Sequence, residues 1–266
     1  MFNDIEKNSF IKKRMAELFF AQGLPLIGIV SAGVTDPLPI LFFLFCTLSA
    51  AVHILIYNDR CFDEAVGKVK ANDNTLLLIT FIIPLAGGLI SGAYLALVIY
   101  LMAVINWNVY SSKGKYHFKR VVFHNFVGGF THFTGGYFYG RGEDLAAGIL
   151  TGLFFGLLMA GAGMHHDAVD YEEDRNAGYV TGAVKYGASK WWKYGLYCIA
   201  IAHILLFFLN NSFSSIMAVV FGFYLLGYIT VLKLGIEHQN MKKFRIYCRV
   251  IYGLGGIIYL WTLVYG

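Results

Sequence analysis

The sequence predicts an all-α, polytopic membrane protein of about nine transmembrane helices around a central cavity, with a cytoplasmic cap from the loops after the second and sixth spans. Three observations predict it. Of 266 residues, 58% are hydrophobic and only 14% are charged, too few polar side chains to cover a water-soluble protein of this length. Apolar runs of about 20 residues, the length of a span, recur from one end of the chain to the other. The basic residues also alternate sides with those runs, as the positive-inside rule requires.

The runs follow in order. The first, 16–35, comes after Lys7, Lys12, Lys13 and Arg14. That flank resembles a signal peptide, but no small-residue cleavage site follows, so the run reads as a retained span. The turn Asp36-Pro37 with Pro39 leads into 38–57. The pair 75–91 and 92–110 is broken near Gly87-Gly88. The pair 121–140 and 145–164 is joined by Arg141 to Asp144, and 191–209 and 213–232 are joined across Asn210-Asn211 to Ser215. A last run, 246–265, ends the series. With this count, 20 of the 21 Lys and Arg fall on one face and only Arg141 falls opposite. The charged face is therefore expected to be cytoplasmic, with the N-terminus, and the C-terminus opposite. The whole of 1–266 reads as a single membrane domain.

Two function classes drop out. The net charge of +5 is not gathered into a basic stripe interleaved with aromatics, so no nucleic-acid partner is expected. Cys46, Cys61, Cys198 and Cys248 show no paired spacing, which argues against a disulfide framework or a structural zinc site.

Chemistry is expected in two long acidic connections on the charged face. The first begins Asn58-Asp59-Arg60-Cys61-Phe62-Asp63-Glu64. If the helix continues, Asp59 and Asp63 share a face with Asn58 beside them. In the second, 165–175, Asp167, Asp170 and Asp174 stand at i, i+3 and i+7, again one stripe. Like charges so placed repel unless a cation joins them. Carboxylates without thiolates suit Mg²⁺, which binds through one or two carboxylates plus water and phosphate oxygens. The alternative is a solvated acidic loop. Between the two clusters in sequence lies 110–120, where Tyr110, Lys119 and Arg120 could reach phosphate oxygens. Arg175 and Lys185 offer the same chemistry beside the second cluster. Each of these cations is equally accounted for as a topology signal.

These residues resemble the UbiA-type intramembrane prenyltransferases. Asp167-x-x-Asp170-x-x-x-Asp174-Arg175-x-x-Gly178-x-x-Thr181, followed by Lys185-Tyr186-Gly187, is similar to that family's second aspartate motif along its whole length. Asn58-Asp59 looks like the start of the first motif, and Tyr110-Ser111 with Lys119-Arg120 resembles the tyrosine and lysine element between spans four and five. The first motif departs where Phe62 and Val66 replace its second and third aspartates, with Asp63 and Glu64 nearby as substitutes. That departure leaves room for the family's terpene-cyclase branch.

The resemblance implies a site. Mg²⁺ would be held by Asn58, Asp59, Asp63, Asp167, Asp170 and Asp174, with the five aspartates as the catalytic set. Asn58, Tyr110, Lys119, Arg120, Arg175 and Lys185 would bind the isoprenyl diphosphate. Ionisation would give an allylic cation sheltered by membrane lipid, for transfer to a lipophilic acceptor, often aromatic in this family. The alternative is cyclisation without an acceptor. A third class, a transporter, predicts charges near the midplane of the spans, whereas here nearly all Asp and Glu sit at one boundary. Polar residues within or at the ends of the runs, His53, Asn106, Asn108, His124, Asn125 and His132, read as helix-to-helix hydrogen bonds ahead of any base or acceptor-orienting role. The pair His165-His166 lacks a spaced third ligand for a transition metal.

Overall fold

Apolar periodicity becomes helix along almost the whole chain. The computed structural model describes residues 22–66, 74–113, 117–209 and 211–265. Lys7, Lys12, Lys13, Arg14 and the first part of the 16–35 run lie outside the described residues, as do Lys68, Lys70 and Lys115. The helices are α1 Gly23–Ser31, α2 Pro37–Val66, α3 Asn74–Ile90, α4 Tyr94–Lys113, α5 Phe118–Tyr139 and α6 Leu145–Val169. Two short helices, α7 Tyr171–Asn176 and α8 Gly182–Tyr186, precede α9 Ala188–Leu206, α10 Ser212–Leu234 and α11 His238–Tyr265. Among the described residues there is no strand.

Five of these helices, α2, α4, α6, α10 and α11, are long and apolar enough to cross a membrane, and α3 is a shorter apolar helix. The protein is an integral membrane protein. The runs expected at 121–140 and 191–209 are also helices, α5 and α9, but they are less apolar because they carry buried polar groups such as His124, Thr131, Thr134 and His203. The four-residue acidic spacing of the first cluster is helical too, since α2 continues through 58–66.

The chain divides into two compact units. The first comprises residues up to Val104 together with His132–Glu143. In it α1 crosses the end of α5 at two glycines: a Cβ on Gly28 would overlap the Phe133 carbonyl, and one on Gly136 would overlap the Pro25 carbonyl. Small residues let the backbones touch, the usual device for helix association in lipid. α2 is tied to α3 by Ser49 Oγ donating to the Thr80 carbonyl at 3.1 Å and His53 Nδ1 donating to the Leu77 carbonyl at 3.0 Å.

The second unit comprises Ile105–Thr131 and Asp144–Gly266. Its centre is α6, the most enclosed of the five candidate spans, whereas α11 is the least. α6 packs along α9 through Gly161 and Gly195, where a Cβ on Gly161 would stand 2.8 Å from the Gly195 carbonyl oxygen. Trp192, Tyr224, Tyr228, Phe244 and Ile199 close a core between α9, α10 and α11. His165 is stacked on Trp192 at 4.1 Å between ring centroids, and its Nε2 donates to the Trp192 carbonyl at 3.2 Å.

Candidate functional site

The second acidic cluster is built where α6 stops. Asp170 is at once the last cap of α6 and the first of α7, with φ −90° and ψ 13°. The expected single stripe is therefore bent: Asp167 belongs to α6 and Asp174 to α7, with Asp170 at the joint. The bend is slight, because the Asp170 and Asp174 amides still donate four residues back, at 3.0 and 2.9 Å. Asp167 remains within electrostatic reach of both Asp170 and Asp174.

The glycine and threonine of the motif are turn chemistry. The Tyr179 amide donates to the Asp174 carbonyl at 2.9 Å and the Gly178 amide to the Arg175 carbonyl at 3.2 Å, the paired bonds of a Schellman stop. Gly178 takes the left-handed position, φ +73°, which a Cβ disfavours. Thr181 then caps α8, its Oγ1 accepting from the Val184 amide at 3.4 Å. Gly178→Ala is expected to cost about 1–2 kcal/mol through the left-handed backbone alone, read as a lowered unfolding midpoint in detergent.

α9 supplies a partner that lies outside the motif. Trp191 Nε1 donates to Asp167 Oδ2 at 3.2 Å, and the indole is buried at 4% exposure among Phe118, Tyr186 and Tyr194. One carboxylate oxygen of Asp167 is thus engaged and aimed. The Lys185 ammonium lies over the Phe118 ring, 4.5 Å from its centroid, which brings it to the first turn of α5, where Lys119 and Arg120 are exposed. Arg175 is exposed, 3.9 Å from Glu172, and contact with Tyr171 and Glu172 raises its pKa, so it is a permanent cation.

Tyr110, at the end of α4, is held by a polar aromatic cluster. Its ring stacks on His124 of α5 at 3.8 Å and 8°, and Trp107 meets the same imidazole edge-on at 4.2 Å. Asn106 Nδ2 donates to His124 Nδ1 at 3.1 Å and to the His124 carbonyl at 3.2 Å. This is the helix-to-helix hydrogen bond expected of these residues. The Tyr110 hydroxyl lies within electrostatic reach of Asp167, Asp174 and Tyr179. Asn106→Ala should cost about 0.6–1.7 kcal/mol, the range for interhelical side-chain bonds in membranes, measured as unfolding in mixed micelles.

α11 contributes two side chains with no motif signal. His238 Nδ1 donates to the Val169 carbonyl at 2.8 Å, satisfying a free carbonyl at the end of α6. Arg245 Nη1 lies 3.6 Å from Asp170 Oδ1. His166 Nδ1 is 2.7 Å from Asp170 Oδ2 and 3.2 Å from Arg245 Nη1. A ring nitrogen carries either a proton or a lone pair, so it bonds to one of these at a time. Sequence reasoning missed Trp191, His238 and Arg245 because they lie far along the chain from the groups they contact, Asp167, the Val169 carbonyl and Asp170.

Of the first cluster, Asn58 is half-buried on α2, and the side chains of Asp59, Asp63 and Glu64 lie outside those described. Among the described residues no three His, Cys, Asp or Glu side chains converge to hold a metal alone. The donors that are present, hard carboxylate oxygens of Asp167, Asp170 and Asp174 without thiolates, fit Mg²⁺, which takes most of its ligands from water and phosphate.

No family model matches the sequence, and neither does any curated protein. Solved structures do match the fold. A structure of digeranylgeranylglyceryl phosphate synthase in membranes superposes with TM-score 0.75 at 20% identity, over 94% of this chain and 95% of its own. A UbiA homolog from Aeropyrum pernix K1 gives TM-score 0.61 at 16% identity, over 91% and 98%. A UbiA homolog from Archaeoglobus fulgidus, bound to Cd²⁺, gives 0.58 at 20%, over 92% and 95%. By its helical architecture over more than nine-tenths of its length, the chain has the UbiA fold.

Proposed function

We propose that the protein is a Mg²⁺-dependent prenyltransferase that ionises an isoprenyl diphosphate within the membrane and passes the prenyl group to a lipophilic acceptor. The observation that supports this reading is the bent row Asp167, Asp170 and Asp174 at one end of α6, with Asp167 bonded by Trp191 and the Tyr110 hydroxyl within electrostatic reach of Asp167 and Asp174. The resemblance adds Asn58, Asp59 and Asp63 from α2 to the metal set. The neighbour named for digeranylgeranylglyceryl phosphate supports a prenyl substrate, and the one holding Cd²⁺ supports use of a divalent metal. The distribution of the basic residues supports a cytoplasmic face for the active-site connections and the N-terminus.

When bound, Mg²⁺ supplies charge neutralisation for the departing diphosphate. The chain does the rest. Asp167, Asp170 and Asp174 would hold the metal, while Lys119, Arg120, Arg175 and Lys185 would donate to phosphate oxygens as the C–O bond lengthens. Tyr110 donates its hydroxyl hydrogen bond from a ring fixed against His124. The apolar helices keep water from the allylic cation, and aromatic faces near it lower its energy.

The departure at Phe62 and Val66 favours one second reading, cyclisation of the prenyl chain on itself. One experiment separates the two. Purified protein is incubated with Mg²⁺ and prenyl diphosphates of several lengths, with an aromatic acceptor, a prenylated glyceryl phosphate, or none. A prenylated acceptor supports transfer; a cyclic hydrocarbon or alcohol formed without acceptor overturns it in favour of the cyclase. No consumption of any diphosphate rejects both.

A further inference from the structure

Arg245 belongs to no motif, yet it is built into the acidic row. Its backbone is anchored by Phe244, buried in the core of the second unit, and by the His238 bond that ties the start of α11 to the end of α6. An arginine at a membrane boundary ordinarily extends its charge toward water or headgroups. This one is folded inward. Its side chain is only 23% exposed, and its Nη1 faces both Asp170 Oδ1 and His166 Nδ1. Its Nε is buried without a hydrogen-bond partner among the described residues. A guanidinium has five N–H donors in a planar fork, and here one nitrogen does all the bonding.

We infer that Arg245 is the resting counter-ion of Asp170, which yields that carboxylate to the divalent metal and then turns its free donors to the diphosphate. This rests on the reading proposed above and adds a residue to it. Without metal, Asp167 is repelled by both Asp170 and Asp174, and a cation at Asp170 relieves part of that repulsion. Metal and guanidinium compete for the same oxygen, so Arg245 weakens metal binding to the empty protein. A diphosphate brings the acceptors that the unsatisfied fork lacks, and bidentate phosphate contact is what guanidinium geometry suits. Arg245 therefore couples the two ligands: metal binds poorly alone and well with diphosphate.

The test uses the full chain purified in detergent, with Mn²⁺ as the metal probe, read by its paramagnetic resonance, and inorganic pyrophosphate with Mg²⁺, read by calorimetry. Arg245→Gln should bind Mn²⁺ alone about threefold to tenfold more tightly. It should bind Mg-pyrophosphate about tenfold more weakly. Arg245→Lys keeps the charge and lacks the fork; it should hold Mn²⁺ affinity within about twofold and still lose about threefold or more for pyrophosphate. Unchanged or weaker Mn²⁺ binding in a folded Arg245→Gln protein overturns the inference. If Arg245→Gln does not fold, undiminished pyrophosphate binding by Arg245→Lys overturns it. Should the unsubstituted protein bind neither probe, the proposed function fails and this inference falls with it; should it bind both while the variants match it, only the inference fails.

Discussion

Asp170→Ala is expected to lower diphosphate release by at least about a hundredfold while the protein stays folded. The magnitude is that of removing one preorganised electrostatic element from a developing charge. The specificity comes from where Asp170 sits. It joins α6 to α7, and its side chain makes no cap bond to α7, so an alanine there leaves the backbone scheme intact. What disappears is the carboxylate between His166 at 2.7 Å and Arg245 at 3.6 Å. The row loses a carboxylate, Arg245 its counter-ion and His166 its near neighbour. The measurement is pyrophosphate released from a prenyl diphosphate with Mg²⁺ in detergent, alongside a thermal unfolding trace. Release at the unsubstituted rate would return the transporter class to first place.

Gly182→Ala should reduce the same rate by about tenfold and the stability by about 1–3 kcal/mol, the cost of overpacking a closed interior. A Cβ at Gly182 would overlap the six-membered ring of Trp191 at its Cε2 and Cζ2. The indole has nowhere to go, since Phe118, Tyr186 and Tyr194 surround it at 5.8–6.0 Å between ring centroids. It must tilt, and with it goes the Nε1 bond that aims Asp167. Trp191→Phe makes the companion measurement: it removes the donor and leaves a cavity instead of adding volume, so its rate should fall together with a loss of stability of about 1–3 kcal/mol. If Gly182→Ala loses stability at full activity, Trp191 is packing only and Asp167 needs no aiming.

Legibility differed from residue to residue. Asp167, Asp170, Asp174, Gly178 and Thr181 were readable because a local segment carries them and helix and turn chemistry fixes their spacing. The span positions of α2, α6, α10 and α11 were readable because lipid leaves a long apolar run one solution, the hydrogen-bonded helix. The bend at Asp170 was not readable, since a helical stripe and a helix joint have the same residue spacing. α5 and α9 looked like ordinary spans, whereas buried His124, Thr131, Thr134 and His203 show them facing other helices.

The amino-acid order by itself determined that the chain is helical and that it resides in a membrane, because these follow from solvent and from contacts a few residues apart. Tertiary structure alone decided that Trp191 aims Asp167, that Arg245 faces Asp170, and that Gly182 must lack a side chain. Those pairings join residues from nine to 75 positions apart, and no local preference encodes them. They exist only once α9 and α11 have packed against α6, when volume exclusion and the need of buried polar atoms for partners select one arrangement.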